Sequence, residues 1–493
     1  MDLKLPKLPV DVVGLIGRLE SAGFMTWVVG GSVRDFLIGV KPKDWDLATT
    51  ALPVQISEVL KEFKVIPTGR AFGTMTVVTD KRPVQVTTLR AESGYSDSRH
   101  PDQIQFQEDI CTDLSRRDFT INAIAYRPAE GFGAGDVGDA VGAGDVCYPA
   151  LSSDPRDPGS PARFALAGGL VDCFGGIQDL QAGLLRAVGA ADERLKEDPL
   201  RILRALRFVS GLGCRVDELL EASLHENRYL LKSVSGERVQ VELANILAGQ
   251  HVVKVLRGYA DVLAVLVPEI GLSDGFDQKS PWHCYDVWEH TIRAIDFAST
   301  DDPLVRLALL FHDLGKPASY TIDSTGRGHF KGHADVSTRI ADKRLRELRY
   351  DRHSIKTITE LIQLHMSSLK PEHALIWLHD IGCEQLYRLI ELKRGDMAAH
   401  APDIASERIA SLDEFLAEVK RLVASGACYS LEQLEIDGSD LRDLGFEQGM
   451  QIGEVLQSLL HSVIFGELCN NRDDLLTAAT TLMVEAAKWE DRQ

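Results

Sequence analysis

The chain has 493 residues, 44% of them hydrophobic and 26% charged, and its 73 acidic against 54 basic side chains leave a formal net charge of −19. That length exceeds one core and predicts a modular protein, while the lack of a long apolar run or a signal-like N-terminus predicts a cytoplasmic chain with no membrane partner. Eight cysteines without a CxxC pair or regular spacing exclude a disulfide framework and read as reduced, mostly structural residues.

Residues 10–22 set Val12, Val13, Leu15, Ile16 and Leu19 at helical spacing, and Gly23 suits the left-handed conformation that ends a helix. "FMTWVVG" (24–30) predicts a strand running into Gly30 and Gly31, after which "SVRDFLI" predicts a short helix capped by Ser32 and closed by Gly39. "KDWDLATT" (43–50) reads as a strand, "PVQISEVLKEF" (53–63) as a helix, and "GTMTVVTDKRPVQVTTLR" (73–90) as a hairpin turning near Asp80 and Lys81. This describes an α+β head over residues 1–190. Within it, residues 129–170 change to Gly, Ala, Asp, Ser and Pro, with "GAGDV" at 133–137 and again at 142–146. Such a segment buries too little apolar surface to offset its ordering entropy and predicts a flexible insertion. From about Asp192 the pattern is almost wholly helical, broken at 273–283, 317–330 and 434–440. The helical part divides into a neck (191–272), a body (273–400) and a tail (401–493).

An acidic chain has no general attraction for nucleic acid, so RNA contact must rest on local basic patches. "EDPLRILRALRF" (197–208) is one candidate; "DKRLRELRYDRHSIK" (342–356), with its mixed signs, reads as a solvated helix face.

The chemistry starts at Asp44 and Asp46. On a strand, side chains at i and i+2 leave the same face, so both carboxylates can aim at one point. Their repulsion calls for a cation, and paired carboxylates with substrate phosphates suit Mg²⁺ and phosphoryl or nucleotidyl transfer. Just upstream, "GGSVRD" supplies the complement: Gly30 and Gly31 let backbone amides approach an anion at a helix start, and Arg34 adds a planar charge. A tight structural turn explains the glycine pair equally well, but next to the DxD it describes a triphosphate cradle.

"VVGGSVRDFLIGVKPKDWDLATTALP", "PTGRAFGTMTVV", "VTTLRAESGYSDSRHPDQIQF", "EDICTDLSRRDFTINAIAY" and "EDPLRILRALRF" follow one another along the chain. Together they resemble the class II tRNA nucleotidyltransferase and bacterial poly(A) polymerase family. The resemblance implies that Asp44 and Asp46 hold catalytic Mg²⁺, that Gly30, Gly31, Arg34 and Arg117 contact nucleotide, that Asp118 supports the site, and that tRNA, ATP and CTP are partners, the tail contacting tRNA. No obligate protein partner is evident.

In "EDPLRILRALRF", Asp198, Arg201, Arg204 and Arg207 follow at steps of three, along one slowly turning side of a helix. A surface salt-bridge ladder is one reading. Base selection is another: adenine and cytosine share an amino donor beside a ring-nitrogen acceptor, which an aspartate and an arginine can match while guanine and uracil mismatch. The resemblance assigns that template to Asp198 and Arg201, with Arg204 and Arg207 assisting in nucleotide binding. Two positions depart from the family pattern. Gln85 stands where an acidic residue is usual, so it cannot bring a carboxylate to metal, and Cys173 stands where proline is usual, read as a tolerated loop change.

Further on come His290, His312 and Asp313 in "LFHDLGKP", His333, His365, and Asp396 in "KRGDMAAH". Each alone reads as a packed or capping residue; spread over several helices they could converge on a divalent ion. As an ordered set they resemble the HD phosphohydrolase superfamily. That resemblance implies that His290, His312, Asp313 and Asp396 bind one metal, His333 and His365 a second, and that His312 and Asp313 are catalytic in phosphoester hydrolysis. The expected function is addition of C, C and A to tRNA 3′ ends with a second, hydrolytic site. Alternatives are poly(A) polymerase, a CC- or A-adding enzyme, an RNA-binding protein whose transferase site has lapsed, and an HD hydrolase with a vestigial head.

Overall fold

The computed structural model describes residues 8–95, 101–128, 169–280, 284–446 and 449–490. The insertion expected at 129–170, with its near-repeat, lies outside the described residues except for its last two positions. The chain divides into two compact units, Met1–Pro268 and Glu269–Gln493.

The first unit holds a mixed sheet of seven strands: β1 Thr26–Val29, β2 Asp46–Thr49, β3 Lys64–Gly69, β4 Thr74–Val78, β5 Pro83–Thr88, β8 Ile124–Tyr126 and β9 Leu170–Asp172, in the order β3-β4-β5-β2-β1-β8-β9. A separate hairpin pairs β6 Arg90–Ser93 with β7 Gln103–Phe106. Only β2 and β5 run parallel; the other sheet neighbours are antiparallel. Both faces of the sheet are covered, which is why all four residues of β1 are buried. One face packs Val28, Leu47, Val84 and Val86 against Leu15, Ile16 and Leu19 of α1 (Val10–Ser21) and Ile56 of α3 (Pro53–Val59). The other packs Trp27, Val29, Ala48 and Ala125 against Ile110 and Leu114 of α4 (Ile110–Ser115). The helix expected at 10–22 is present, and Gly23 follows it with φ of 90°.

Four expectations need correction. Helix α2 (Gly31–Leu37) is capped by Gly30, not Ser32: the turn out of β1 takes φ of 77°, open to glycine, so the helix starts earlier and Ser32 Oγ donates to the Val29 carbonyl at 3.2 Å. Asp44 is not on the strand. The ladder between β1 and β2 ends at Val29 opposite Asp46, because β1 turns away at Gly30 and leaves Asp44 no partner. The cysteines are not all reduced: Cys111 and Cys173 form a disulfide with Cα atoms 5.9 Å apart. The start of α4 and the segment after β9 pack into the same apolar cluster, which brings the two thiols within bridging range across 62 residues. Finally, Pro199 ends one helix and opens the next, so Asp198 lies between α6 (Ala191–Glu197) and α7 (Leu200–Leu212) instead of on the arginine helix. Helix α5 (Gly176–Ala182), the two-residue strands β10 Leu184–Leu185 and β11 Arg215–Val216, and helices α8 Glu218–Glu226, α9 Gly236–Leu247, α10 Val252–Gly258 and α11 Ala260–Leu263 complete this unit.

The second unit is helical, with α12 Glu269–Ser273, α13 Val287–Phe297, α14 Pro303–Phe311, α15 Lys316–Ser319, α16 His333–Glu347, α17 Arg352–Leu364, α18 Ala374–Ile381, α19 Cys383–Ala398, α20 Pro402–Ala424, α21 Gly438–Asp443, α22 Met450–Ile464 and α23 Arg472–Glu490. The break expected at 317–330 carries a small ribbon, Thr321–Ile322 paired with Gly328–His329. Helix α13 packs on α19, and α14 on both α17 and α19. Gly395 permits the first contact: a Cβ there would lie 2.5 Å from the Ala294 carbonyl, and without one α19 seats Asp396 against His290. The charged run 342–356 spans two helices, and two of its arginines are paired, Arg344 with Glu269 at 2.8 Å and Arg346 with Asp342 at 2.7 Å. Among the described residues, no helix is long and apolar enough to cross a membrane.

Candidate functional site

At one end of β2, Asp46 is half-buried and Asp44 exposed. Burial pushes the Asp46 carboxyl up from its ordinary value, Arg117 opposes the rise and Asp44 adds to it, so the two acids are electrostatically coupled. A divalent cation would relieve that strain, and the donor set of two carboxylate-bearing residues open to solvent on one side fits Mg²⁺. Arg117 stands over the turn that starts α2: a Cβ at Gly30 would meet its guanidinium at 2.9 Å and Asp46 at 4.0 Å. Its Nε is buried without a hydrogen-bond partner, and its NH2 group reaches Asp113 at 3.4 Å. A buried cation with a spare donor beside two acids and a glycine turn is suited to hold an anion.

A second layer fixes the arginines. Asp118 Oδ2 accepts from Arg204 through Nε at 2.8 Å and Nη2 at 2.5 Å, while its Oδ1 accepts from Asn122 and the Phe119 amide. Burial alone would raise the Asp118 carboxyl, but Arg204 and these donors hold it well below the ordinary carboxylate range. Arg34 donates to Asp35 and, at 2.6 Å, to Asn122. Arg207 pairs with Glu242 at 3.2 Å. Arg201 donates to Glu197 at 2.6 Å and to the carbonyls of Arg194 and Arg116. Asp198 accepts from Arg238 at 2.7 Å and from the Leu200 amide at 3.2 Å.

Gly30, Gly31, Arg34, Asp46, Arg117, Asp118, Arg204 and Arg207 therefore lie in one chain of contacts, with Asp44 at its solvent edge. Sequence reasoning passed over Asp113, Asn122, Arg238 and Glu242, each of which has a partner 23 to 88 positions away that only the fold brings to it. It also passed over Glu92 and Arg116, paired at 3.2 Å.

In the second unit, His290, His312, Asp313, Asp396, His333 and His365 come together from five segments. His290 Nε2 lies 2.9 Å from Asp396 Oδ1 and 3.5 Å from Asp313 Oδ2; His312 Nε2 is 3.3 Å from the latter. The other oxygen of Asp313 faces His333 Nε2 at 3.4 Å and His365 Nε2 at 3.9 Å, so this carboxylate joins the two groups. All four rings place Nδ1 against a backbone carbonyl: Ala399, Leu309, Phe330 and Ile362. Such a bond fixes the proton on Nδ1 and turns the Nε2 lone pair inward, the arrangement of metal-binding imidazoles. Lys316 Nζ pairs with Asp313 Oδ2 at 2.7 Å but off the hydrogen-bonding direction, so Asp313 Oδ2 and His312 Nε2 are buried polar atoms without a directed bond. These orphaned donors fit a divalent ion, and Lys316, also bonded to Gln278, was not anticipated.

Three family models match in order: the Poly A polymerase head domain over residues 26–146, the RNA and SrmB-binding site of polymerase A over 213–270, and tRNA nucleotidyltransferase domain 2 over 332–479. A CCA-adding enzyme of Latilactobacillus sakei is 36% identical over 251 residues, 51% of this chain, and the match spans about half (53%) of that relative's length. One from Levilactobacillus brevis is 27% identical over 468 residues, covering 94% of this chain and 96% of the relative. The crystal structure of the Bacillus stearothermophilus CCA-adding enzyme in complex with CTP shares the fold with a TM-score of 0.62 at 23% identity, covering 99% of this chain and all of that one. With three models in sequence and a relative aligned nearly from end to end, the chain is similar to CCA-adding enzymes and poly(A) polymerases along most of its length.

Proposed function

We propose that this protein adds C, C and A from CTP and ATP to the 3′ end of tRNA without a nucleic-acid template. The observation that carries the reading is the meeting of Asp46, Asp44, Arg117 and the Gly30 turn at one end of the sheet, backed by Asp118 and the α7 arginines. Asp44 and Asp46 would hold Mg²⁺, which when bound stabilises charge on the reacting phosphates. Arg117 and Arg34 bind and orient the triphosphate; Gly30, lacking a side chain, lets it approach the backbone. Asp198 accepts from the base's amino group and Arg201 donates to its ring nitrogen, admitting cytosine and adenine. The relatives' names, CCA-adding enzyme, support the choice of product. Transfer RNA is bound mainly through stem shape, phosphates and 2′-hydroxyls, partly by the helical tail.

The second unit is read as an HD-type hydrolase of phosphoesters, cyclic 2′,3′-phosphates or other damaged 3′ ends being substrates that suit an enzyme that rebuilds the terminus. His290, His312, Asp313 and Asp396 would hold one divalent ion and His333 with His365 a second, supplying an activated water when bound. The inward Nε2 atoms and the shared Asp313 support this reading.

One assay tests the first activity. Purified protein receives a tRNA lacking its terminus with CTP alone, ATP alone, or both. Two C from CTP and a final A only when both are present is the expected result. A long A tail identifies a poly(A) polymerase, one partial step a CC- or A-adding enzyme, and tight tRNA binding without incorporation a lapsed site.

A further inference from the structure

Phe208 lies on α7, one residue beyond Arg207, and by helical pattern it is an ordinary core position; only 6% of it is exposed. Its surroundings are not those of an ordinary core residue. The guanidinium of Arg207 lies 4.8 Å from its ring centroid, that of Arg34 from α2 lies 4.9 Å away, and that of Arg204 6.0 Å. Phe119 meets the ring edge-on at 5.6 Å and 81°, which pins its orientation. Three like charges crowded round one point repel one another, yet each has one anchoring carboxylate, Glu242, Asp35 and Asp118 respectively. What these arginines share is the aromatic ring, whose negative faces attract cations most strongly where water is excluded.

We propose that Phe208 is the positioning residue that holds Arg34 and Arg207 beside the nucleotide site through cation–π contact. It does not touch nucleotide; it keeps planar donors from α2 and α7 in fixed places, so that triphosphate and base meet groups already oriented. The inference rests on the transferase reading above.

The test replaces Phe208 with mono-, di- and trifluorophenylalanine, which retain shape and progressively weaken the ring's negative face. Full-length protein is assayed for CTP and ATP binding and for addition to a tRNA lacking its terminus. Losing contact to two guanidiniums should raise KM for both nucleotides by roughly 5- to 30-fold across the series, with kcat less affected and thermal midpoint steady. Phe208→Leu should raise KM at least as far as the most fluorinated protein. A KM independent of fluorine number overturns the inference while leaving the transferase reading standing. Wild-type protein that neither binds CTP nor extends tRNA overturns both.

Discussion

Asp46 and Gln85 stand opposite each other in the parallel ladder between β2 and β5, so the neutral amide occupies the strand position next to the first acid of the sheet. A carboxylate there would add to the repulsion that already raises Asp46. Gln85→Glu is therefore expected to lower the Mg²⁺ concentration for half-maximal addition several-fold while changing the maximal rate by less than about ten-fold. Asp46→Asn is expected to cost roughly 10³-fold or more, because it removes a charge from the group proposed to hold the metal. Titrations of addition rate against Mg²⁺ measure both. A silent wild type revived by Gln85→Glu would show that the natural site has lapsed.

The pair between Asp118 and Arg204 links folding to pH. Asp118 is held below its ordinary value of 3.8 in the folded chain, so the unfolded chain takes up the proton first. Its stabilisation is present above about pH 4 and lost as pH falls further. Asp118→Asn leaves Arg204 half-exposed and unpaired, for a loss of about 2 kcal/mol at pH 7. Urea midpoints at pH 7, 5, 4 and 3 should show the difference between wild type and variant shrinking only at the two lowest values. A gap that stays constant to pH 3 would remove the pair as its source.

How much could be read beforehand depends on the range of the interaction. The α1 stripe, the hairpin turning at Asp80 and Lys81 and the ordered histidines are local patterns, and each has its place in the structure, whereas of the DxD only Asp46 lies on the strand. Ser32 misled because a serine before a helical stretch is a good cap, whereas positive φ after β1 favoured Gly30. Asp198 was put on a helix because spacing by three ignores Pro199. Phe208 drew no reading, because its cationic neighbour Arg34 is brought by a distant helix. Cys111 and Cys173 carried no spacing signal, since the sheet that joins them is assembled from the whole head.

That disulfide joins cysteines 62 positions apart and ties α4, which carries Asp113, to the segment after β9. Loop-closure entropy sets its stabilisation at up to about 4 kcal/mol. Protein unfolded without reductant should titrate with two fewer thiols than after reduction, and Cys173→Ser should lower the thermal midpoint. Equal thiol counts would mean that the bridge does not form in solution.

The two chemistries should separate by mutation and by chelation. His312→Ala removes an inward Nε2 from the second cluster, so phosphodiesterase activity on a 2′,3′-cyclic phosphate should fall by at least about 10²-fold with CCA addition unchanged. Asp46→Asn should do the reverse. Removal of divalent ions should stop both, and metal content measured before and after should fall in wild type more than in His312→Ala. Equal loss of both activities in His312→Ala would make the histidine a folding residue.

Base choice gives the sharpest test, because Asp198 already has partners. Arg238 and the Leu200 amide hold its two oxygens, fixing the carboxylate before any nucleotide arrives. An acceptor held in place discriminates better than a mobile one, since a guanine or uracil carbonyl opposite it leaves two acceptors facing each other, at roughly 1–3 kcal/mol per mismatched group. Asp198→Ala should therefore keep triphosphate affinity, which is proposed to rest on Arg117 and Arg34, while preference for CTP over UTP falls by about ten-fold or more. Arg238→Met should produce a smaller loss of the same kind, because it loosens the carboxylate without deleting it. If Asp198→Ala still incorporates only C and A, selection resides elsewhere, and the fixed carboxylate serves to brace the turn between α6 and α7.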